Sequence, residues 1–419
     1  MNAPFKREKT AAEATLHGQF AGLAKGANAK GAFARFEALG LPSRRVESWH
    51  YTDLRSFLKD AAPLAAAPDY AAISAAKSVL AQEPKLGVAR LVLLDGYYVA
   101  ELSDALPVGV TMTAGAPDAP IADKADAMLA LAAAFASDGF TLNVSGDVSP
   151  FEIIHLFSAM GTVASYSRLA VKLEDGAKAT IVERGLGAGP GAERHRLMQI
   201  SVGRHARLDH LVCLEDQPKL NLESLSLELT EGAELRGFGL ALGGELTRRQ
   251  IFATLAGPNA NLALAGLALL DGERRADATL EVLHAAPHGM SREFFRYIVA
   301  DEAAGVFQGK VIVASGAQKT DGAMKSQAIL LSPTASMNNK PELEIYADDV
   351  ACGHGATVGA LDPEQVFYLE ARGIPRVEAE AMLLEAFGAE AIARVADEGL
   401  AEAMLEKARA WFAARGAKI

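Results

Sequence analysis

Cysteine is nearly absent from this 419-residue sequence, which contains only Cys213 and Cys352. Two thiols cannot build a disulfide framework, and their separation is not that of a zinc site, so a reducing compartment is favoured. The N-terminal segment has no apolar stretch of the kind found in secretory signals. The uncharged run at residues 251–270 is interrupted by a Gly-Pro-Asn turn, which would leave backbone groups without hydrogen-bond partners in lipid. We therefore expect a cytoplasmic protein with no transmembrane segment.

Positive charge and aromatic residues are also scarce. The chain has 41 Lys and Arg against 52 Asp and Glu, and the net charge of -11 disfavours binding to nucleic acid or to a membrane surface. Aromatic residues make up 6% of the chain, and its two tryptophans, Trp49 and Trp411, lie outside the repeat region described below. This argues against the main alternative function, a β-helix enzyme that cleaves polysaccharide in a groove lined by carboxylates and aromatic platforms.

Catalytic signatures are missing as well. The sequence contains no Walker loop, no dinucleotide-binding fingerprint and no G-x-S-x-G elbow. The Gly-rich stretch at 185–191 lacks the Lys and the Ser or Thr that hold phosphate groups, which is typical of a flexible loop. We predict that this chain is not an enzyme.

The first 140 residues combine helical and mixed patterns. Apolar residues at helical spacing predict two amphipathic helices, the second ending at Gly40. The aromatic segment Trp49-His50-Tyr51-Thr52 follows and is interpreted as a packed connection. We therefore assign residues 1–140 to an N-terminal helical and mixed region.

Between residues 141 and 358 the pattern becomes strand-like and repeats. Leu169, Val171 and Leu173 alternate with more polar neighbours, as in a strand with one buried face. Turn signals recur with their alanines at 177, 206, 233 and 260, which are 29, 27 and 27 residues apart. A repeat of this size, made of strands, favours a β-helix whose coils stack along one axis. An antiparallel sandwich with meander strands is the alternative left open by the alternation alone.

A helical pattern returns from residue 359 to residue 419. Asp362 is a predicted N-cap, followed by Pro363 at the first helical position. Gly373 ends this helix in our interpretation, a second helix ends at Gly388, and a third runs towards Trp411. We expect a C-terminal helical domain.

Most histidines give no metal-binding pattern. Pro287 separates His284 from His288 and forbids the helix that would aim both at one metal, so we interpret them as loop residues. His210 and Cys213 would face opposite sides of a strand. We interpret His195, His205 and His210 as surface histidines, and Cys213 as a buried core thiol.

Cys352 and His354 form the most informative pair. Two residues apart on an extended chain, they point to the same side, and the flanking glycines allow another backbone or a cluster to approach. A thiolate and an imidazole could supply two ligands to iron, but two ligands do not complete a coordination shell. The alternative is a structural one, a buried cysteine beside a histidine in a turn.

The region from residue 307 to residue 373 contains a series of distinctive segments. They are Val306-Phe307-Gln308-Gly309-Lys310, Gln318-Lys319-Thr320-Asp321-Gly322, Lys340-Pro341-Glu342-Leu343-Glu344-Ile345-Tyr346-Ala347-Asp348-Asp349-Val350, Cys352-Gly353-His354-Gly355-Ala356-Thr357-Val358-Gly359 and Phe367-Tyr368-Leu369-Glu370-Ala371-Arg372-Gly373-Ile374. With these segments the region resembles the shared core of the SufB/SufD family of SUF-system proteins, which assemble iron–sulfur clusters. The Cys-x-His-Gly-Ala-Thr form is similar to the SufD branch, whereas the SufB branch has a His-Glu-Ala-Thr version.

The resemblance implies a right-handed parallel β-helix flanked by the two helical regions. It also implies a scaffold subunit that pairs with a SufB paralogue and binds the ATPase SufC, two copies of which belong to the complex. A nascent, transient iron–sulfur cluster would form at the interface with SufB, with His354 and Cys352 as ligands to iron shared with the partner chain.

The resemblance further places the SufC-docking surface on the C-terminal helices. The residues at the corresponding positions are Asp362, Gln365, Phe367, Tyr368, Arg372, Met382, Leu383 and Phe387. No permanently bound cofactor is expected, because ATP binds to the ATPase subunit. A reduced flavin in the complex and a homodimer of this chain alone are both left open.

Overall fold

The structure is a computed structural model that describes residues 8–118, 126–158, 161–187, 189 and 191–415. Part of the stretch at 185–191, interpreted above as a flexible loop, lies outside the described residues. The α-helices are α1 (Ala11–Ala21), α2 (Ala27–Leu39), α3 (Leu54–Phe57), α4 (Tyr70–Gln82), α5 (Ala127–Phe135), α6 (Pro363–Glu370), α7 (Arg376–Ile392) and α8 (Glu398–Arg415).

Nineteen strands are found within the described residues. They are β1 (Arg90–Leu94), β2 (Tyr97–Tyr98), β3 (Val110–Ala114), β4 (Asp138–Val144), β5 (Phe151–Leu156), β6 (Ala164–Leu173), β7 (Lys178–Leu186), β8 (Glu193–Val202), β9 (Arg207–Leu214), β10 (Leu220–Leu229), β11 (Glu234–Ala241), β12 (Leu246–Leu255), β13 (Asn261–Leu270), β14 (Arg275–His284), β15 (Met290–Val299), β16 (Ala304–Val313), β17 (Asp321–Leu330), β18 (Ser336–Ile345) and β19 (Ala351–Gly359).

Successive strands alternate between two sheets. The first sheet has the order β19-β17-β15-β13-β11-β9-β7-β5-β1-β2, and the second has the order β18-β16-β14-β12-β10-β8-β6-β4-β3. Every pairing is parallel except β1 with β2 and β3 with β4. Parallel pairing between alternate strands requires a chain that coils, so the antiparallel sandwich is excluded and the predicted fold class is confirmed. The protein is mainly β, with a parallel solenoid of about eight turns, N-terminal helices and a C-terminal helical region.

The repeat predicted from the sequence corresponds to one coil of the solenoid. The four turn alanines are all fully buried and face the interior between the two sheets. Each follows a residue with positive φ, from Gly176 (73°) to Asn259 (59°). The N–H of that residue donates to a carbonyl in the turn of the next coil, for example from His205 to Glu231 over 2.9 Å. The turns therefore stack in register along the whole repeat.

The N-terminal region covers the outer face of the second sheet. The Trp49 ring lies under the guanidinium of Arg248, whose carbon is 3.7 Å from the ring centroid. The Trp49 Nε1 donates to Asp126 over 3.3 Å, and Arg248 donates to the Ser48 carbonyl over 2.7 Å. The segment predicted to be a packed connection is thus the contact between the helices and the solenoid.

The C-terminal helices cover the outer face of the first sheet. Leu384 and Ile392 of α7 share a buried cluster with Leu267 and Ile298 of strands β13 and β15. The predicted helix end at Gly388 is wrong, since α7 continues to Ile392. A Cβ at position 388 would lie 3.2 Å from a methyl group of Leu267, so this glycine permits close packing of α7 on the sheet.

The three-region division at residues 140 and 358 stays a prediction, and strands β1, β2 and β3 of the first region already belong to the two sheets. Within the described residues, none of the helices is long and apolar enough to cross a membrane.

The interior of the first coils contains an ion-pair network rather than apolar side chains alone. The Glu183 carboxylate accepts from His155 Nε2 at 2.9 Å and from His210 Nε2 at 2.5 Å. The Arg196 guanidinium lies 2.8 Å from the same carboxylate and also pairs with Glu223. These five side chains are at most 4% exposed. The prediction of surface histidines is therefore wrong for His210.

Candidate functional site

The solenoid ends in two strands whose outer edges are free of partners among the described residues. Strand β18 pairs with β16 and strand β19 pairs with β17, and each is the last strand of its sheet. The residues of β19 are exposed or half-buried, whereas the strands inside the solenoid are mostly buried. A long edge strand presents unpaired N–H and C=O groups, which makes it a template for pairing with another chain. We call this pair of strands the open end.

Cys352 and His354 both lie on β19, at the open end. Cys352 stands opposite Gly322 of β17, and His354 stands opposite Met324. Met324 is buried in the solenoid core, and Cys352 packs against the same core. Because residues two apart on a strand share a face, both side chains point to the interior side of the first sheet. No further coil covers them, and His354 is exposed.

The electrostatic surroundings keep the Cys352 thiol protonated. Partial burial raises its pKa, and the carboxylates of Asp321 and Glu293 raise it further, against the opposing N–H of Gly322. A thiol of this kind is a weak nucleophile by itself, since the thiolate is the reactive and metal-binding form. A bound cation would favour the thiolate, so metal binding and loss of the proton are coupled.

The described part of the chain contains no group of three or more His, Cys, Asp and Glu residues placed to hold a metal ion. Cys352 and His354 are therefore an incomplete ligand pair. Their position on a free edge means that a second chain pairing there would bring its own residues next to them.

The predicted SufC-docking residues lie mainly on the exposed side of α6 and α7. Asp362 caps α6 by accepting from the Glu364 N–H at 2.9 Å, which confirms the predicted helix start. Phe367 and Tyr368 are 70% and 56% exposed. The Arg372 guanidinium lies 3.5 Å from the Tyr368 ring centroid and also bonds to its hydroxyl.

The remaining residues of that set divide between surface and interior. Gln365 and Met382 are exposed, and Leu383 is half-buried. Phe387 instead turns towards the solenoid, where its ring lies 4.2 Å from the Arg296 guanidinium carbon. The structure therefore joins Phe367, Tyr368 and Arg372 into one exposed patch, and Phe387 does not belong to it.

Two other histidine predictions need correction. His195 is 1% exposed and stacks on Tyr166, with ring centroids 4.4 Å apart, beneath the N-terminal helices. His284 is the last residue of β14 and is fully buried, so only His288 is a loop residue. Burial also lowers the pKa of His284 to about 4. The burial of His195 could not be predicted from its neighbours, because residues 193–196 form a polar segment of the kind expected on a surface.

Comparison with known proteins identifies relatives over most of the chain. The profile for the SUF system FeS cluster assembly SufBD core domain matches residues 155–387. The iron–sulfur cluster assembly protein SufD of Escherichia coli is 32% identical over 386 residues, which cover 88% of each chain. An iron–sulfur cluster assembly SufBD family protein of Synechocystis is 28% identical over 87% of this chain and 86% of its own. SufD of Bacillus subtilis is 33% identical over 129 residues, 31% of this chain and 30% of its own.

Proposed function

The chain belongs to the SufBD family of SUF-system iron–sulfur cluster assembly proteins, and from this we propose that it is a non-catalytic scaffold that pairs with a SufB paralogue. A role in iron–sulfur cluster assembly follows from the family itself. The finer proposal is that the nascent cluster is built at the interface between the two solenoids, in the cytoplasm. The observation that carries it is the open end, with Cys352 and His354 on its last strand.

The geometry of the open end supports this proposal in two ways. A second solenoid with a similar free end would satisfy the edge N–H and C=O groups of β18 and β19 by extending both sheets. It would also place its own side chains beside Cys352 and His354, which supply only part of a ligand set. Iron and sulfide are the cargo of such a site, so the cluster forms there transiently and leaves.

In this proposal, another subunit hydrolyses the ATP that drives the assembly. The sequence has no phosphate-binding loop, and the exposed patch of Phe367, Tyr368 and Arg372 offers a docking surface of aromatic and Arg side chains, the types enriched at protein interfaces. We assign this patch to the ATPase SufC, one copy here and one on the SufB paralogue. ATP binding and hydrolysis in that subunit would move the two scaffolds and expose the shared site.

Replacing both Phe367 and Tyr368 with alanine should release the ATPase while the two scaffolds stay paired. Both side chains are largely exposed, so their removal leaves no cavity in this chain. We expect the affinity for the ATPase to fall at least about tenfold, as is usual for interface aromatic anchors. Affinity capture on the tagged chain, followed by quantification of both partners, measures the effect. Tyr70→Ala, which removes an 86% exposed ring from α4, is the matched control. Equal ATPase retention in all three proteins would place the docking surface elsewhere.

Native mass spectrometry of the tagged chain, purified from its own host, tests the composition of the complex. We expect one copy of a second solenoid subunit and two copies of a P-loop ATPase. A homodimer under gentle conditions would show that this chain pairs with a second copy of itself. A monomer or a homodimer without other partners would contradict the scaffold proposal. The same preparation, analysed for bound flavin, answers whether a reduced flavin belongs to the complex.

A further inference from the structure

Positive charge collects on the outer face of the first sheet, beside the open end. Three cations surround the ring of Phe294 on β15. The guanidinium carbons of Arg394 and Arg296 lie 4.7 Å and 4.9 Å from the ring centroid, and the Lys325 Nζ lies 5.9 Å from it. Within the part of the chain that the structure describes, only Arg296 of these three has an acidic partner, the Glu390 carboxylate of α7. We call the three residues the cationic cluster.

The cationic cluster brings like charges together without enough acid to balance them. Burial lowers the pKa of Arg296, the Glu390 carboxylate opposes this effect, and the nearby charge of Arg394 lowers the pKa further. An anion placed among the cations would relieve this repulsion. Lys325 and Arg394 are both exposed, so such an anion can reach them from outside the chain. In a protein with a net charge of -11, this patch is a local site for negative charge.

Register connects the cationic cluster with the free edge of the sheet. Lys325 of β17 stands between Phe294 of β15 and Gly355 of β19 in one row across the strands. Gly355 follows His354 on an extended strand, so it faces outwards, on the same face as Lys325. A strand that paired with the free edge of β19 would lie two spacings of about 4.8 Å from Lys325. No side chain would stand between them in this row.

The glycine at position 355 has no explanation within this chain. Its φ is not positive, so the backbone does not require a glycine. A Cβ placed there would meet nothing within 4 Å, so packing does not require one either. Glycine weakens the interior of a strand and often marks the close approach of another group. Here it lines a groove of about 580 Å³ together with Phe294, Lys325 and Arg394, and it leaves the path from the Lys325 amine across β19 open.

We propose that the cationic cluster binds an acidic side chain of the partner solenoid, carried on the strand that pairs with β19. This inference rests on the pairing proposed above and adds the chemistry of the partner, whose edge strand has an outward-facing Asp or Glu opposite Gly355. The carboxylate accepts from the Lys325 amine across Gly355, in the positive field of the two guanidinium groups. The contact lies on the outer face of the sheet, on the side opposite to Cys352 and His354.

A second copy of this chain does not fit the cationic cluster. Strand β19 (Ala351–Gly359) contains no Asp or Glu, so a copy that paired through the same strand would supply no carboxylate. It would instead bring a second set of three cations to the shared face. Like charges that meet across an interface disfavour the wrong partner. The cluster therefore favours a different, acid-bearing solenoid over self-association.

Zero-length carbodiimide crosslinking of the complex, purified from its own host, tests the contact directly. The reagent joins a lysine amine to a carboxylate only where the two groups touch. We expect a crosslinked peptide that joins Lys325 to an Asp or Glu on the edge strand of the partner solenoid, identified by mass spectrometry. Lys325→Arg should keep the pairing and lose the crosslink, because a guanidinium does not react. Crosslinking of Lys325 to Glu390 or to the ATPase in place of the partner solenoid would overturn the proposal.

The affinity for the purified partner solenoid, titrated onto the immobilised chain, tests the contribution of charge and space. Lys325→Glu and Gly355→Val should each raise the Kd at least about tenfold at low salt, and the effect of Lys325→Glu should shrink at high salt. Lys77→Glu, on the exposed side of α4, is the control for charge. Gly353→Val is the control for space, since it adds the same side chain to the same face, opposite Ala323.

The outcomes separate this contact from the scaffold proposal. Wild-type affinity in Lys325→Glu, or an equal loss in Gly353→Val and Gly355→Val, would overturn the contact while the pairing of the two solenoids stands. All these positions are exposed, so the melting temperature of each variant should match that of the wild-type chain. Absence of any solenoid partner from the wild-type preparation would contradict the scaffold proposal and, with it, the contact.

Discussion

Replacing His354 with alanine is expected to impair cluster formation strongly in the assembled complex while the complex itself stays intact. The imidazole is exposed on the last strand of the solenoid, so its loss removes no core volume and leaves the pairing of β19 with β17 unchanged. In the proposed site, it removes one of the two side chains that this chain would offer to iron at the open end. Because the remaining thiol cannot hold a cluster precursor alone, we expect cluster yield to fall by at least about tenfold, as for loss of a metal-site residue.

The measurement is anaerobic reconstitution, with cluster content followed by absorption and by iron and sulfide analysis. Thr357→Ala is the matched control, because Thr357 is exposed on the same strand and faces the opposite side. Both variants should copurify with partners as the wild-type chain does. Normal cluster yield from the His354 variant would exclude this imidazole from the site. Loss of the partners would instead show that His354 supports pairing.

The coil repeat could be predicted from the sequence because its cause is local. Each turn needs a residue that tolerates positive φ, followed by a small residue that fits inside the corner, and Gly176-Ala177 and Asn259-Ala260 supply both. The repeat continues beyond the region where it was recognised, with positive φ at His288 and Lys319. Gly289 and Thr320 replace the alanine there, so the sequence signal fades although the backbone geometry continues.

The position of Cys352 and His354 on one face could also be predicted, since strand alternation fixes it. Their place on the final, open strand could not, because it depends on where the stacking of coils stops.

The interior ion pairs were missed because they join residues one coil apart. Glu183 and His210 are 27 residues apart, as are Arg196 and Glu223, and this equals the repeat length found at the turns. Arg196 lies in a strand that carries charged residues on both faces. Considered alone, such a strand is predicted to be exposed. A search for opposite charges separated by one repeat would have found the network.

Replacing Glu183 with glutamine should destabilise the chain more than any surface substitution. The substitution keeps the volume but removes the anion between Arg196 and two histidines, all at most 4% exposed. Arg196 keeps Glu223 as its other partner, but Glu223 also faces Arg249, so two buried guanidinium groups then share one carboxylate. Breaking a buried ion pair from one side costs about 3 to 5 kcal/mol. Denaturant unfolding of the isolated chain measures the change. Lys85→Ala is the control, because its 2.7 Å bond to Asp104 is at the surface and should contribute less than about 1 kcal/mol.

The pH dependence of the free energy of unfolding tests whether the ion-pair network is the source of that loss. Burial, with the Arg196 charge, lowers the pKa of His155 to about 4, and the Arg196 charge and the two histidine hydrogen bonds hold the pKa of Glu183 well below its usual range. Both pKa values are lower in the folded than in the unfolded chain, so unfolding takes up protons below about pH 6.5. The free energy of unfolding should therefore fall as pH drops from about 6.5 towards 4. Glu183→Gln removes the Glu183 contribution below pH 4.5, so its curve should be flatter there, and a wild-type slope would contradict the assigned pairing.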